Sequence, residues 1–150
     1  RCHGDYHLGQ VLWTGTDWMI IDFEGEPDRP LNERREKRCA LKDVAGMIRS
    51  FHYASNAGSV GLIDPPAVSI VDPTRWQSYW YQSCRDTFLQ GYLDENHQAT
   101  CMLHAGLGQQ LLDLFLLEKA LYELRYEIQN RPDWLAIPLA GLASVLKLDV

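Results

Sequence analysis

Two acidic groups set a hairpin apart at the very start of the chain constrain everything after them. His3-Gly4-Asp5-Tyr6-His7-Leu8-Gly9-Gln10 is followed, after a short apolar stretch, by Ile20-Ile21-Asp22-Phe23-Glu24. The runs 10–14 and 17–22 are rich in β-forming residues, and Gly15-Thr16 between them is a two-residue connection of the kind that closes a hairpin. Asp5 lies in a loop just after a glycine, and Asp22 ends the second, hydrophobic strand. Folding the hairpin therefore brings both carboxylates to one end of the sheet. That arrangement suits phosphoryl transfer, which needs a base to orient an attacking hydroxyl and oxygen ligands to hold Mg²⁺ against nucleotide phosphates, with little other covalent chemistry. Asp5 fits the first role, Gln10 and Asp22 the second. Two protein ligands suffice, because Mg²⁺ keeps waters and phosphate oxygens in its shell.

A competing chemistry starts from His3 and His7, whose four-residue spacing and neighbouring Asp5 suggest a dinuclear phosphatase loop. Such a centre needs further Asp, Asn and His ligands. The other histidines, His52, His97 and His104, have no partners at ligand spacing. His3 is expected instead to shape the loop by hydrogen-bonding the backbone, next to Gly4, and His7 receives no role. Glu24 is equally a metal or water contact and a surface acid.

At 150 residues with 46% hydrophobic content, the chain is long and apolar enough for one domain with a substantial core. A formal charge of −6, from 14 basic and 20 acidic residues, and a basic cluster over 29–38 that is interleaved with acids argue against nucleic-acid binding. No apolar run approaches the roughly 20 residues of a membrane span, and there is no signal-peptide layout, so a cytoplasmic setting is expected. Cys2, Cys39, Cys84 and Cys101 are scattered without a C-x-x-C pair, which reads as idle thiols rather than a zinc or redox site.

Further along, 25–37 holds two prolines and many charges without helical period, an ordered surface excursion or a plain solvated connection. Leu41, Val44, Ala45, Ile48, Phe51 and His52 recur at helical steps and predict a helix over 42–55 with a core face. Asp43 on another face either tethers the catalytic loop or is a solvated acid near a helix start. A loop over 56–66 follows. Asp72-Pro73 signals a helix start, and the helix to about residue 93 carries an aromatic stripe of Trp76, Tyr79, Trp80, Phe88 and Tyr92 that reads as core. The longest helix should cover 107–129. In its second half Glu118, Tyr122, Tyr126 and Gln129 share one face, which can bind a polyol but also reads as a solvated surface. Residues 137–148 predict a short terminal helix.

The motif H-G-D-Y-H-L-G-Q with I-D-F-E resembles the catalytic loop and metal-binding strand of the aminoglycoside phosphotransferase-like kinases, relatives of the protein kinases. Gln10 in place of the usual Asn, Asp22-Phe23-Glu24-Gly25-Glu26-Pro27, Glu118-Lys119-Ala120-Leu121-Tyr122-Glu123 and Arg131-Pro132-Asp133-Trp134 resemble the maltokinases more specifically, over residues 1–142. The resemblance implies a mainly α fold with a short β-hairpin (α+β), the carboxy-terminal lobe of a protein-kinase-like fold spanning 1–150. An amino-terminal ATP-binding lobe, with its phosphate-covering loop and lysine, is expected outside this chain, because no Gly-rich loop opening a helix occurs here.

It further implies ATP-dependent phosphorylation of maltose with Mg²⁺, Asp5 as base, Gln10 and Asp22 on the metal-nucleotide, and Glu118, Lys119, Tyr122 and Tyr126 contacting the sugar. Some members are fused to trehalose synthase. Residues 1–150 alone are expected to be inactive. The alternatives are a kinase for another small alcohol or aminoglycoside-like acceptor, and a non-catalytic carbohydrate-binding module. Against the second stands the intact pair Asp5 and Asp22, which a scaffold has no chemical reason to keep.

Overall fold

The computed structural model describes residues 2–26, 29–56, 58, 72–95 and 106–147. The loop expected over 56–66 falls outside them except for residues 56 and 58, as do His97, Cys101 and His104. The hairpin pairs β1 (Val11–Trp13) with β2 (Trp18–Ile20) in antiparallel register, Val11 opposite Ile20 and Trp13 opposite Trp18. Its connection is one residue longer at each end than Gly15-Thr16. The Thr14 amide donates to the Asp17 carbonyl at 2.9 Å, and Gly15 takes the positive φ of 99° that closes the turn. After the hairpin comes a one-turn helix, α1 (Leu31–Arg34), with Gly25 and Glu26 buried just before it. The described part of the excursion is therefore partly internal, not a plain solvated connection.

Among the described residues four longer helices form the body: α2 (Leu41–Asn56), α3 (Pro73–Glu95), α4 (Leu107–Asn130) and α5 (Ala136–Leu146). Asp72 caps α3 by accepting the Arg75 amide at 3.0 Å, with Pro73 at the first helical position where its missing N–H costs nothing. The core lies between α2 and α4, where Leu41, Val44, Ala45 and Ile48 meet Leu112 and Leu116. Burying each of the larger side chains contributes about 1.5–3 kcal/mol.

The aromatic stripe of α3 is core only in part. Phe88 and Tyr92 pack against the α2–α4 core, and Phe51 meets Trp80 and Phe88 edge-on, whereas Trp76 and Tyr79 are exposed and pair with each other. The reason is positional: α3 is an outer layer on α2, and no residue of it is buried. Among the described residues no helix is long and apolar enough to cross a membrane. Cys2, Cys39 and Cys84 are free thiols.

Candidate active site

The loop carrying Asp5 is held from three sides. Asp43, near the start of α2, accepts the backbone amides of His3 at 2.6 Å and Gly4 at 2.9 Å, so of its two readings the tether is the one realised. The buried His3 ring accepts the Asp5 amide on Nδ1 at 3.3 Å, which leaves the proton on Nε2 to donate to the Ile21 carbonyl at 2.7 Å. One ring thus fastens the loop to the end of β2. Below, a Cβ on Gly46 would lie 2.7 Å from the Tyr6 carbonyl oxygen, so only glycine lets α2 approach the loop this closely. Gly4, with φ of 94°, likewise runs against Gly25, where a Cβ would sit 3.1 Å from the Gly25 Cα.

At the hairpin end, Gln10 Nε2 donates to Asp22 Oδ2 at 2.9 Å. Asp22 adopts a left-handed backbone, φ 62°, which turns its exposed carboxylate out of the line of β2. A carboxylate and an amide oxygen on adjacent side chains are the hard oxygen donors that Mg²⁺ prefers, so the pair fits that ion. Among the described residues no group of three or more His, Cys, Asp or Glu side chains could hold a metal. A dinuclear site on His3 and His7 has no support. His7 Nδ1 accepts the Gly9 amide at 3.1 Å and its Nε2 lies 3.8 Å from Asp5 Oδ2.

Asp5 opens onto a cavity of about 530 Å³ lined by His7, Ser50, Tyr53, Lys119, Tyr122, Glu123, Tyr126, Glu127 and Arg131. Tyr122 and Tyr126 from the expected α4 face, and Lys119 from the contacts the resemblance implied, therefore line the same cavity as Asp5. Glu118 is not in this cavity. Its carboxylate is engaged by Lys42 at 2.6 Å and by Arg29 at 3.3 Å, in a smaller cleft beside Asp5. Gln129, with Tyr122 and Tyr126, lines an adjoining cleft of about 440 Å³ together with Arg29 and Arg125. The two tyrosines form the wall shared by both spaces.

Apart from Lys119, sequence reasoning missed the neighbouring row of α4. Lys119, Glu123 and Glu127 follow each other at four-residue steps, and that spacing, read for charge instead of for phenols, identifies a second polar stripe. Glu123 is clamped by Arg49, from Nε at 2.8 Å and Nη2 at 2.7 Å. Burial still raises its pKa, outweighing the lowering effect of Arg49. Glu127 is buried and accepts from Tyr53 at 3.2 Å and from Nε and Nη2 of Arg131 at 2.9 and 2.7 Å. Burial, with Glu123 and Glu127 nearby, raises the Tyr53 pKa strongly, so its phenol remains a donor. Glu26, also missed, is buried against Lys119 and Arg29. Nothing in its charged, Pro-flanked stretch signals burial.

No protein-family profile matches the chain. It is 32% identical to a glucosamine kinase of Mycolicibacterium smegmatis over 146 residues, 96% of this chain and 34% of that protein. It is 27% identical to a glucosamine kinase of Streptacidiphilus jiangxiensis, again over 146 residues and covering 31% of that protein. A solved glucosamine kinase in complex with glucosamine, ADP and inorganic phosphate superposes with a TM-score of 0.75 at 25% identity, covering 97% of this chain and 34% of that one. A second crystal form of a glucosamine kinase gives 0.76. The chain spans about a third of the length of these relatives. Over nearly its whole length it is thus homologous to one part of glucosamine kinases, proteins that support a sugar-kinase reading without singling out the maltokinases.

Proposed function

We propose that residues 1–150 form the acceptor-binding lobe of an ATP-dependent sugar kinase that works with a nucleotide-covering lobe outside this chain. The observation that carries this reading is the Asp5 carboxylate at the wall of a polar cavity, a hairpin away from the Gln10–Asp22 pair. Asp5 accepts the proton of the attacking sugar hydroxyl. Gln10 and Asp22 hold Mg²⁺, which when bound neutralises charge on the nucleotide phosphates. His3 and Asp43 keep Asp5 in place, so that little reorganisation remains when the acceptor arrives.

For the acceptor we take an amino sugar of the glucosamine type. The named relatives support it, and so does a cavity wall that carries the carboxylates of Asp5, Glu123 and Glu127, acceptors that an amino-sugar ammonium can use. Tyr122 and Tyr126 supply ring faces and hydroxyl donors for a pyranose. Maltose is the second reading, favoured by the 440 Å³ cleft beyond the tyrosines, which offers room and polar groups for a second ring.

Steady-state kinetics on the complete protein with glucosamine, glucose and maltose as acceptors separate these readings. The amino sugar should have the highest kcat/KM, and Tyr126→Ala should raise its KM while leaving that of ATP nearly unchanged. A preference for maltose over glucosamine would transfer the assignment to the disaccharide. Asp5→Asn should lower kcat by about 10²–10⁴ with the fold retained. Turnover within about threefold of the parent, a difference below roughly 1 kcal/mol, would remove Asp5 from the role of base.

A further inference from the structure

Lys119 Nζ is held between two carboxylates from distant parts of the chain, Glu26 Oε1 at 2.8 Å and Asp5 Oδ1 at 3.3 Å. Glu26 is only 3% exposed. Its second oxygen is engaged by the Arg29 guanidinium, which also reaches Glu118 and Glu33. Lys119 lies 4.9 Å from the centre of the Tyr122 ring, a contact that favours the ammonium in a desolvated setting. Burial alone would push Lys119 down and Glu26 up; their mutual charge and hydrogen bonds outweigh this in both cases, so the ammonium and carboxylate are retained. The backbone supports the same juxtaposition, since Gly4 and Gly25 touch one residue away from Asp5 and Glu26.

Three groups in a row, carboxylate, ammonium, carboxylate, have a simple physical consequence. A buried ammonium with Asp5 as its sole partner would hold that carboxylate in a tight ion pair and turn it away from a substrate hydroxyl. Glu26 offers the closer contact, leaving Asp5 oriented by a longer one. The other charged neighbours do not duplicate this. His7 approaches the opposite oxygen of Asp5 at 3.8 Å, and Lys42 and Arg29 are directed to Glu118.

We infer that Glu26 and Lys119 are positioning residues that set the orientation of Asp5, Glu26 acting on Asp5 through the Lys119 ammonium. This rests on the assignment of Asp5 as the base. Glu26 does not line the 530 Å³ cavity, so its removal should leave sugar binding alone.

The test is a double-mutant cycle on the complete protein with kcat and both KM values measured. Glu26→Gln should lower kcat between about tenfold and 10²-fold, a misplacement effect, with the KM for ATP and for sugar within about twofold of the parent. Lys119→Met should lower kcat similarly, and adding Glu26→Gln to it should cost less than about twofold more, because the group through which Glu26 acts is gone. Fully additive losses, or a Glu26→Gln enzyme that turns over like the parent while Asp5→Asn is inactive, would overturn the relay and leave the base assignment standing. An Asp5→Asn enzyme with parental turnover would overturn both. If Glu26→Gln does not fold, Lys119→Met carries the test alone, and a parental kcat for it sinks the inference.

Discussion

His52, on α2, meets Tyr81 edge-on with ring centroids 5.2 Å apart and has Arg49 Nη1 3.4 Å from its Nδ1. Burial, and then the Arg49 charge, push its pKa from 6.5 down to about 4. The unfolded ring protonates near 6.5, so between pH 6.5 and 4 the unfolded chain binds the extra proton. Stability from this residue is therefore complete above pH 6.5 and lost as pH falls towards 4. Urea unfolding at pH 7.5 and 4.5 should show His52→Gln losing less stability over that interval than the parent, by roughly 2–3 kcal/mol at most. Glu26, whose pKa is lowered, acts in the same direction at lower pH.

At the level of the element, close helix contacts through glycine govern the site. Alanine at Gly46 gains up to about 1 kcal/mol of helix propensity, yet its Cβ meets the Tyr6 backbone, and such overpacking costs about 1–3 kcal/mol. Gly46→Ala should therefore destabilise the protein and, by displacing the Asp5 loop, lower kcat; thermal melts and turnover on one preparation check both. At α5, a Cβ on Gly141 would overlap the Arg49 guanidinium that clamps Glu123. The Arg49 end must shift to admit that methyl, so Gly141→Ala should weaken the Arg49–Glu123 pair and lower the melting temperature, an effect that thermal melts of the variant check.

The four longer helices and their approximate bounds were readable from periodicity and from Asp72-Pro73 because those signals are local, whereas the single turn of α1 lies in a stretch read as having no helical period. Which face of α3 meets the core was not, since that depends on where α2 lies. The same limit applies to the site. Asp5, Gln10 and Asp22 share one local motif, whereas the tether at Asp43 and the burial of Glu26 depend on partners tens of residues away.

At the scale of the whole molecule, among the described residues the hairpin carries a run of exposed apolar side chains, Leu12, Trp13, Trp18, Met19, Ile20 and neighbouring Phe23. Residues 1–150 purified alone should show no phosphate transfer from ATP to any of the three sugars, because the phosphates are left uncovered. They should also self-associate through this surface. Light scattering on the isolated lobe, compared with Trp18→Lys, checks the second point, and sustained turnover by the lobe would contradict the first. The bridge from Lys119 to Asp5 spans 114 residues of chain. At a ribosomal pace of about 5–20 residues per second, roughly 6–23 s separate the synthesis of Asp5 from that of its ammonium partner. Throughout that interval Asp5 and Glu26 lack the ammonium that joins them, so the row of three charges at the site closes only once α4 has been made.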